Sequence, residues 1–316
     1  MSVTVVGSIA FDAVKTPFGE RERMLGGAAV HFALAASFFD DVRVVGPVGD
    51  DFGEAELDVL RGRGVDVSDI EHVAGGKTFF WRGEYGWDLN TRETLDTQLN
   101  VFEHFQPELS AAARASDVLF LANIQPDVQR AVRDQCDGAR FAALDSMNLW
   151  IDIARPSLVQ TIAGVDCLIL NDAELRQLTE KPNLVTAARE ILAWGPPGPS
   201  VVIGKQGEYG AALITAEGFF SLPAFPLENV VDPTGAGDTF AGGFVGYIAA
   251  NAGEGPVDEA LLRQAMAYGT ALASFNVEEF GTERVARLTG AEITERVREL
   301  ARITHFTDDP PATLRN

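Results

Sequence analysis

The residues best suited to chemistry lie in one glycine-rich segment late in the chain. Residues 231–244 read VDPTGAGDTFAGGF. Pro233 interrupts the element that precedes it, and Gly235 and Gly237 permit tight backbone turns because they have no Cβ atom. A small-residue helix that starts here presents free N–H groups at its N-terminus, which is a binding site for an anion such as phosphate. The segment therefore predicts an anion site.

Asp238 follows this turn directly, where it could act as a general base. A carboxylate beside a phosphate site repels the phosphate, so a purely structural aspartate is unexpected there. Accepting the proton of a substrate hydroxyl gives the carboxylate a use. The alternative is an aspartate that caps a glycine-rich helix, which is a common arrangement. The spacing alone leaves both interpretations open.

Two other glycine-rich nucleotide motifs are excluded. The dinucleotide fingerprint G-x-G-x-x-G would need a glycine where the chain has Phe240, and it would follow the first strand. A P-loop, G-x-x-x-x-G-K-[ST], would need glycine at Pro199 and serine or threonine at Gln206, next to Lys205. A dehydrogenase is therefore not predicted.

The elements around these residues alternate between apolar runs of strand length and helix-period segments. This alternation predicts an α/β fold, a three-layer sandwich whose mainly parallel central sheet is covered by helices on both faces. The predicted strands are Val3–Ile9, Val42–Val48, Val118–Ala122, Phe141–Leu144, Cys167–Leu170 and Val201–Gly204.

Residues 77–97 break the alternation. They read KTFFWRGEYGWDLNTRETLDT, an aromatic and extended segment with Gly83 and Gly86 as turn points. We expect a small antiparallel β excursion, either an ordinary edge hairpin or a lid over a ligand. The prediction is one domain over residues 1–306 with this insertion, and a flexible polar tail at 307–316.

Four segments of the chain, in order, match the signatures of one enzyme family. The first is GGAAVHFALA from Gly26, followed by VVGPVGDDFG. NDAE at 171–174 and GKQGEYG at 204–210 come next, and DPTGAGDTF at 232–240 is last. Together they resemble the PfkB, or ribokinase-like, carbohydrate kinases. The resemblance implies ATP-dependent phosphorylation of a hydroxyl group on a small sugar, polyol or nucleoside, with Mg²⁺ as cofactor.

The resemblance also assigns roles to individual residues. It makes Asp238 the base and the backbone of Gly235, Ala236 and Gly237 the anion hole for the transferred phosphoryl group. It implies that Asp232, with Gly281 in the second loop, helps to hold a monovalent cation such as K⁺. The residues implied on the nucleotide side are Asn171, Lys205, Gly207 and Gly210.

Asn171 and Glu174 match the family motif that accompanies Mg²⁺. They are three positions apart at a helix start, so they share a face, and oxygen ligands suit Mg²⁺, usually through waters. The alternative is a helix cap and a solvated glutamate.

On the substrate side, the resemblance makes Asp12 the carboxylate that binds substrate hydroxyls, with a turn aspartate as the alternative. Gly26 and Gly27 match a glycine pair that lets the backbone approach the ligand. The aromatic segment matches the family lid, which places Phe79 and Trp81 toward the substrate, together with Tyr85. A homodimer contact through the lid is also implied.

Two departures from the family pattern bear on the substrate. His31 stands where relatives that act on ribose or fructose usually carry asparagine, so it is a candidate substrate ligand or a structural histidine. The segment DSMNLW at 145–150 lacks the arginine of the Asp-Pro-Asn-x-Arg pattern. We therefore expect a neutral sugar or polyol. The alternatives are a nucleoside kinase, which aromatic stacking would favour, an inositol kinase, or a ligand-binding homologue without turnover.

Composition excludes several partners. The 316 residues carry a formal charge of −21, with a sequence pI near 4.5, so nucleic acid and anionic membranes are unsuitable partners. Cys136 and Cys167 lie in apolar surroundings and are expected to be buried free thiols. With no predicted signal peptide or membrane span, we expect a cytoplasmic protein.

Overall fold

The computed structural model describes residues 1–253, 255 and 257–307. The strands are β1 Ser2–Val6, β2 Ala10–Thr16, β3 Gly19–Gly26, β4 Asp41–Val48, β5 Asp66–His72, β6 Phe79–Tyr85, β7 Arg92–Gln98, β8 Val118–Leu121, β9 Phe141–Asp145, β10 Cys167–Asn171, β11 Val201–Lys205, β12 Ala211–Ile214 and β13 Phe219–Leu222. The helices are α1 Ala28–Ala36, α2 Glu54–Arg61, α3 Ala111–Arg114, α4 Pro126–Gln135, α5 Asn148–Ile162, α6 Asp172–Thr179, α7 Leu184–Leu192, α8 Ala236–Asn251, α9 Glu259–Asn276, α10 Glu283–Ala286 and α11 Gly290–Thr304.

A nine-stranded sheet forms the middle layer, in the order β13-β12-β11-β10-β9-β8-β1-β4-β5. Its strands pair in parallel except for the antiparallel β11–β12–β13 edge. Successive side chains of a strand point to opposite faces, so β8 sends Phe120 into the core under α1 and Leu121 into the core under α4. Phe120 stacks on Phe32 of α1 with ring centroids 4.1 Å apart. The predicted three-layer α/β fold is confirmed.

A second, four-stranded sheet covers one end of this sandwich, in the order β3-β2-β6-β7. We call it the lid. The sequence predicted only its β6–β7 hairpin, whereas residues 10–26 supply the other half and β2 pairs in parallel with β6. The expected first strand, Val3–Ile9, therefore ends at Val6. At Gly7 the backbone passes so near Ala122 that a Cβ atom would lie 2.5 Å from the Ala122 Cβ, which only glycine permits.

Two further expectations concern single residues and the chain end. Cys136 and Cys167 are buried free thiols, as predicted. Apart from Thr307, the predicted flexible tail at 307–316 lies outside the described residues. None of the helices in the described part of the chain combines the length and apolar character that a membrane span requires. The assignment of residues 1–306 to one domain stays a prediction.

Candidate active site

The carboxyl ends of three adjacent parallel strands carry polar side chains. Asp145 ends β9, Asn171 ends β10 and Lys205 ends β11, and the register places Asn171 beside Lys205. Lys205 Nζ lies 3.0 Å from Asp145 Oδ2, in an ion pair whose side chains are 17% and 7% exposed. This edge of a parallel sheet is where α/β proteins usually bind their ligands.

The N-terminus of α8 faces Lys205. Gly235, the N-cap, has a φ of +74°, and a Cβ atom on Gly237 would lie 2.8 Å from Lys205 Nζ. The N–H groups of Gly235 and Gly237 donate to no protein acceptor in the described part of the chain, whereas Ala236 N–H donates to the Pro233 carbonyl at 3.3 Å. Two of the three predicted anion-hole amides are thus free.

Burial and neighbouring charges raise the pKa of two carboxyls in this cleft, those of Glu174 and Asp238. Burial is the main cause for Asp238 and Glu174, the Asp145 charge adds to it, and each pKa rises to about 7. Burial alone would lower the pKa of Lys205, but Asp145, Glu174 and Asp238 together hold it above its ordinary value. Asp238 therefore titrates near neutral pH beside a charged lysine, as a general base would.

Asp12 lies in the same cleft, on β2 of the lid. Burial, and then the charges of Asp232 and Asp238, raise its pKa to about 7, while the Gly27 N–H opposes the rise. A Cβ atom on Gly26 would collide with Asp12 Oδ2, and one on Gly27, which has a φ of +96°, would collide with the Ser8 carbonyl. The glycine pair thus makes room for the Asp12 carboxylate and for the start of α1.

His31 packs against the glycine-rich turn at Gly235 and is only 2% exposed. Its Nδ1–H donates to Asn276 Oδ1 at 3.1 Å, and the Thr239 hydroxyl donates to the same oxygen at 3.0 Å. Asn276 Nδ2 donates to the Thr234 carbonyl at 2.7 Å. Burial lowers the pKa of His31 to about 4, so the ring is neutral and braces Gly235 from below. These contacts give His31 a structural role, and its role as a substrate ligand stays a prediction.

Asp232 joins two loops and is fully buried. Its Oδ1 accepts from Thr234 N–H at 2.9 Å and its Oδ2 accepts from Gly281 N–H at 3.0 Å. The structure therefore brings together the two loops that the sequence linked to a monovalent cation, and the carboxylate positions the turn before Asp238.

Asn171 and Glu174 cap α6 reciprocally. Asn171 Oδ1 accepts from Glu174 N–H at 2.8 Å, and Glu174 Oε2 accepts from Asn171 N–H at 2.9 Å. The helix cap of the alternative is therefore present, but Glu174 is half-buried and not a solvated glutamate, and the Mg²⁺ role of both residues stays a prediction. No cluster of three or more His, Cys, Asp or Glu side chains among the described residues could hold a metal. Glu174 Oε1 takes no part in the cap. This oxygen could therefore bind a water of a Mg²⁺ ion that is held mainly by phosphate oxygens and water.

The lid aromatic residues differ in their surroundings. Trp81 pairs in register with Asp12. Phe79 packs on Phe102, with ring centroids 5.7 Å apart. The Tyr85 hydroxyl accepts from the Thr234 hydroxyl at 3.2 Å. The lid therefore contacts the turn that carries the candidate base.

The lid also contacts the loop after β11. Asn90 Nδ2, between β6 and β7, donates to Glu208 Oε1 at 2.9 Å. Gly207 and Gly210 both have positive φ, +58° and +99°, and a Cβ atom on Gly210 would collide with the Leu222 carbonyl. The two glycines are required for the turn itself, and the lid bridges from the substrate side to this loop.

Three residues at the site had no predicted role: Asn276, Asp145 and Arg92. A fully buried asparagine at the end of the apolar helix α9 is a detectable signal, since buried polar groups need partners. Asp145 stands in the segment DSMNLW, but its ion pair could not be predicted because the partner, Lys205, lies 60 positions away. Arg92 belongs to no sequence motif.

Comparison with known proteins agrees with this geometry. A sequence model described as "pfkB family carbohydrate kinase" matches residues 2–287. The chain belongs to the pfkB family. It is a phosphotransferase with an alcohol group as acceptor, of the carbohydrate or nucleoside kinase type. The predicted family and enzyme class are confirmed.

Individual relatives of this pfkB-family chain include a cytidine kinase of Thermococcus kodakarensis, 29% identical over 78% of this chain and 88% of that protein. Among solved structures, the fold resembles a Burkholderia thailandensis nucleoside kinase in complex with ADP-inosine, with a TM-score of 0.78, 19% identity, and 94% and 95% of the chains covered. It also resembles an Arabidopsis thaliana ribokinase complexed with ribose and ATP, with a TM-score of 0.74, 20% identity, and 94% and 98% coverage.

Proposed function

We propose that the protein transfers the γ-phosphoryl group of ATP to a hydroxyl of a small neutral sugar, polyol or nucleoside. The observation that carries this proposal is the position of Asp238, whose pKa is about 7, beside Lys205 and the free N–H groups of Gly235 and Gly237. Asp238 accepts the hydroxyl proton, while the amides and Lys205 stabilise charge on the phosphoryl oxygens. Asp12, across the cleft, accepts hydrogen bonds from other substrate hydroxyls.

The cofactors of the proposal follow from the same residues. ATP use is supported by the nucleotide complexes of the Burkholderia and Arabidopsis enzymes. Glu174 and Asn171 would hold Mg²⁺ through waters, and the ion would neutralise charge on the phosphates. Three further points stay predictions. They are a monovalent cation such as K⁺ near Asp232 and Gly281, a nucleotide role for Gly207 and Gly210, and a homodimer through the lid.

The substrate class rests on two observations. At the place where sugar kinases of this type carry arginine, this chain has Leu149, so that spot is uncharged and favours a neutral substrate. Trp81 is the register partner of Asp12 in the parallel β2–β6 pair, which supports an aromatic ring near the proposed hydroxyl-binding carboxylate. A nucleoside is therefore the second candidate, and the named activity of the cytidine kinase relative agrees with it.

The test is ADP release measured across pentoses, hexoses, inositols and nucleosides, with sugar phosphates and sugar acids included. We expect turnover on a neutral acceptor. Asp238→Asn should lower kcat by at least about 10³-fold while nucleotide binding, measured by calorimetry, stays near that of the wild type. Best turnover on a sugar phosphate or acid would refute the neutral substrate, and retained turnover in Asp238→Asn would refute the assigned base.

A further inference from the structure

Thr234 lies in the glycine-rich turn, residues 232–237, and its polar groups bond to three different parts of the molecule. Its N–H donates to Asp232 Oδ1 at 2.9 Å, within the turn itself. Its carbonyl accepts from Asn276 Nδ2 at 2.7 Å, at the end of α9. Its hydroxyl donates to the Tyr85 hydroxyl of the lid at 3.2 Å. The first two bonds lie outside the lid, so the third makes the lid a further anchor of the turn.

Apolar contacts also join the lid to the two loops that Asp232 connects. The buried members of this cluster are Val14, Tyr85 and Phe280, and partly buried side chains pack against them: Met24, Trp81, Leu89 and Val231. Val231 comes directly before Asp232 in the chain. Phe280 comes directly before Gly281, whose N–H donates to the Asp232 carboxylate at 3.0 Å. The lid therefore packs on both of the loops that hold this carboxylate.

The Tyr85 hydroxyl has a defined position and stays neutral. Tyr85 is 9% exposed, and burial is the main cause that raises the pKa of its hydroxyl above the ordinary value. A ring that is packed among apolar side chains has little freedom to move, so its hydroxyl holds the Thr234 side chain at one point. The bond between the two hydroxyls exists only while the lid and the turn are in contact.

The position of the turn matters because the N–H groups of Gly235 and Gly237 donate to no protein acceptor in the described part of the chain. Donors of this kind stabilise charge on a phosphoryl group best when they are held in place before the reaction. A displacement of about 1 Å can lower a rate by about 100-fold. Thr234 comes directly before Gly235, so a bond that fixes Thr234 also fixes the first of these donors.

We propose that Tyr85 is a positioning residue, which holds the glycine-rich turn in the geometry of phosphoryl transfer through its bond to Thr234. This inference rests on the proposed kinase function. In that reaction the acceptor oxygen bonds to the γ-phosphorus as its proton passes to Asp238, and ADP leaves with the electron pair of the broken bond. The N–H groups that the turn presents then bind the charged phosphoryl oxygens. Tyr85 has this role in place of a substrate contact.

Tyr85→Phe tests the proposal because it removes the hydroxyl and keeps the ring. On the best acceptor from the panel, we expect kcat to fall about 3- to 10-fold, as for one lost neutral hydrogen bond, while the acceptor KM changes less than about twofold. Thr234→Val should have the same effect, and Thr234→Ser, which keeps the hydroxyl, should recover most of the loss. Tyr268→Phe is the matched control and should resemble the wild type, since Tyr268 lies on α9 and stacks on Tyr247 with ring centroids 4.5 Å apart.

A double-mutant cycle adds a readout that two separate structural roles would not give. Tyr85→Phe and Thr234→Val remove the same bond, so the double variant should lose no more kcat than either single variant. Multiplied losses would overturn the proposal, as would an unchanged kcat in Tyr85→Phe. A higher acceptor KM at constant kcat would also overturn it, in favour of a substrate contact by Tyr85.

Failure of the proposed function gives a different result. If the wild type phosphorylates no acceptor, that function fails, and backbone hydrogen exchange of residues 232–240, followed by mass spectrometry, then decides on Tyr85. Faster exchange of this segment in Tyr85→Phe, with Tyr268→Phe equal to the wild type, supports the assignment. Equal exchange in all three proteins rejects it.

Discussion

Replacing Gly235 by alanine would test whether His31 braces the catalytic turn. The φ of +74° at Gly235 is left-handed, and an alanine there costs about 1–2 kcal/mol of folding free energy. The new Cβ atom would also overlap the His31 ring by about 1 Å relative to an ordinary contact of roughly 3.5 Å. His31 is buried and bonded to Asn276, so it cannot turn aside. Overpacking of this kind costs about 1–3 kcal/mol more, for a total of about 2–5 kcal/mol.

Gly64→Ala separates the two costs. Gly64 has the same φ of +74°, and a Cβ atom there meets nothing within 4 Å. It should therefore lose only the conformational part, about 1–2 kcal/mol. His31→Ala in the Gly235→Ala background removes the overlap, so the double variant should be more stable than the sum of the single changes by about 1–3 kcal/mol.

Urea unfolding followed by circular dichroism gives these free energies, and the kinase assay gives kcat. Gly235→Ala should also lose kcat, because the free N–H groups of Gly235 and Gly237 would move. If Gly235→Ala and Gly64→Ala cost the same, or if the changes at Gly235 and His31 are additive, then His31 does not hold the turn.

Three further predictions concern the same site. Because the pKa of Asp238 is about 7 and the base must be ionised, kcat/KM should rise as pH increases through about 7, measured with saturating ATP. The raised pKa also means that the folded state binds the proton more tightly than the unfolded state. Its stabilising effect is complete below about pH 4 and is lost as pH rises through about 7. Asp238→Asn should therefore reduce the difference in unfolding free energy between about pH 5.5 and pH 8, and an unchanged difference would contradict the raised pKa. Asn276→Asp keeps the acceptor for His31 and Thr239 but loses the donor to the Thr234 carbonyl, so it should lower the unfolding free energy by about 1–3 kcal/mol and reduce kcat. Wild-type kcat in this variant would show that the hydrogen bond to Thr234 does not position the turn.

The parts of the site that could be predicted are those determined by residues close together in the sequence. The turn at Gly235 and the helix that carries Asp238 in its first turn are set by neighbouring residues, so their pattern identifies them. The reason why Gly26 and Gly27 must both be glycine could be predicted only in part from the sequence. A ligand approach was expected, whereas the structure adds a steric reason, because a side chain at Gly26 would displace Asp12.

The parts that could not be predicted depend on distant partners. His31 and Asn276 are 245 positions apart, and no local pattern shows that the ring packs under Gly235. Residues 10–16 carry no local sign of which sheet they join, because their place in the lid depends on the parallel pairing with β6.

The acidic side chains inside the cleft affect the pKa of Asp238. An aspartate with its ordinary pKa of 3.8 would be a weak base at neutral pH, because it holds a proton poorly. Burial beside Asp145 raises the pKa of Asp238 to about 7, which strengthens its proton affinity by about three orders of magnitude. The same burial destabilises the folded protein above neutral pH, and Lys205 limits that cost because its charge opposes the shift. The carboxylates around Asp238 are therefore better explained as the means of tuning the base than as an obstacle to a phosphorylated ligand.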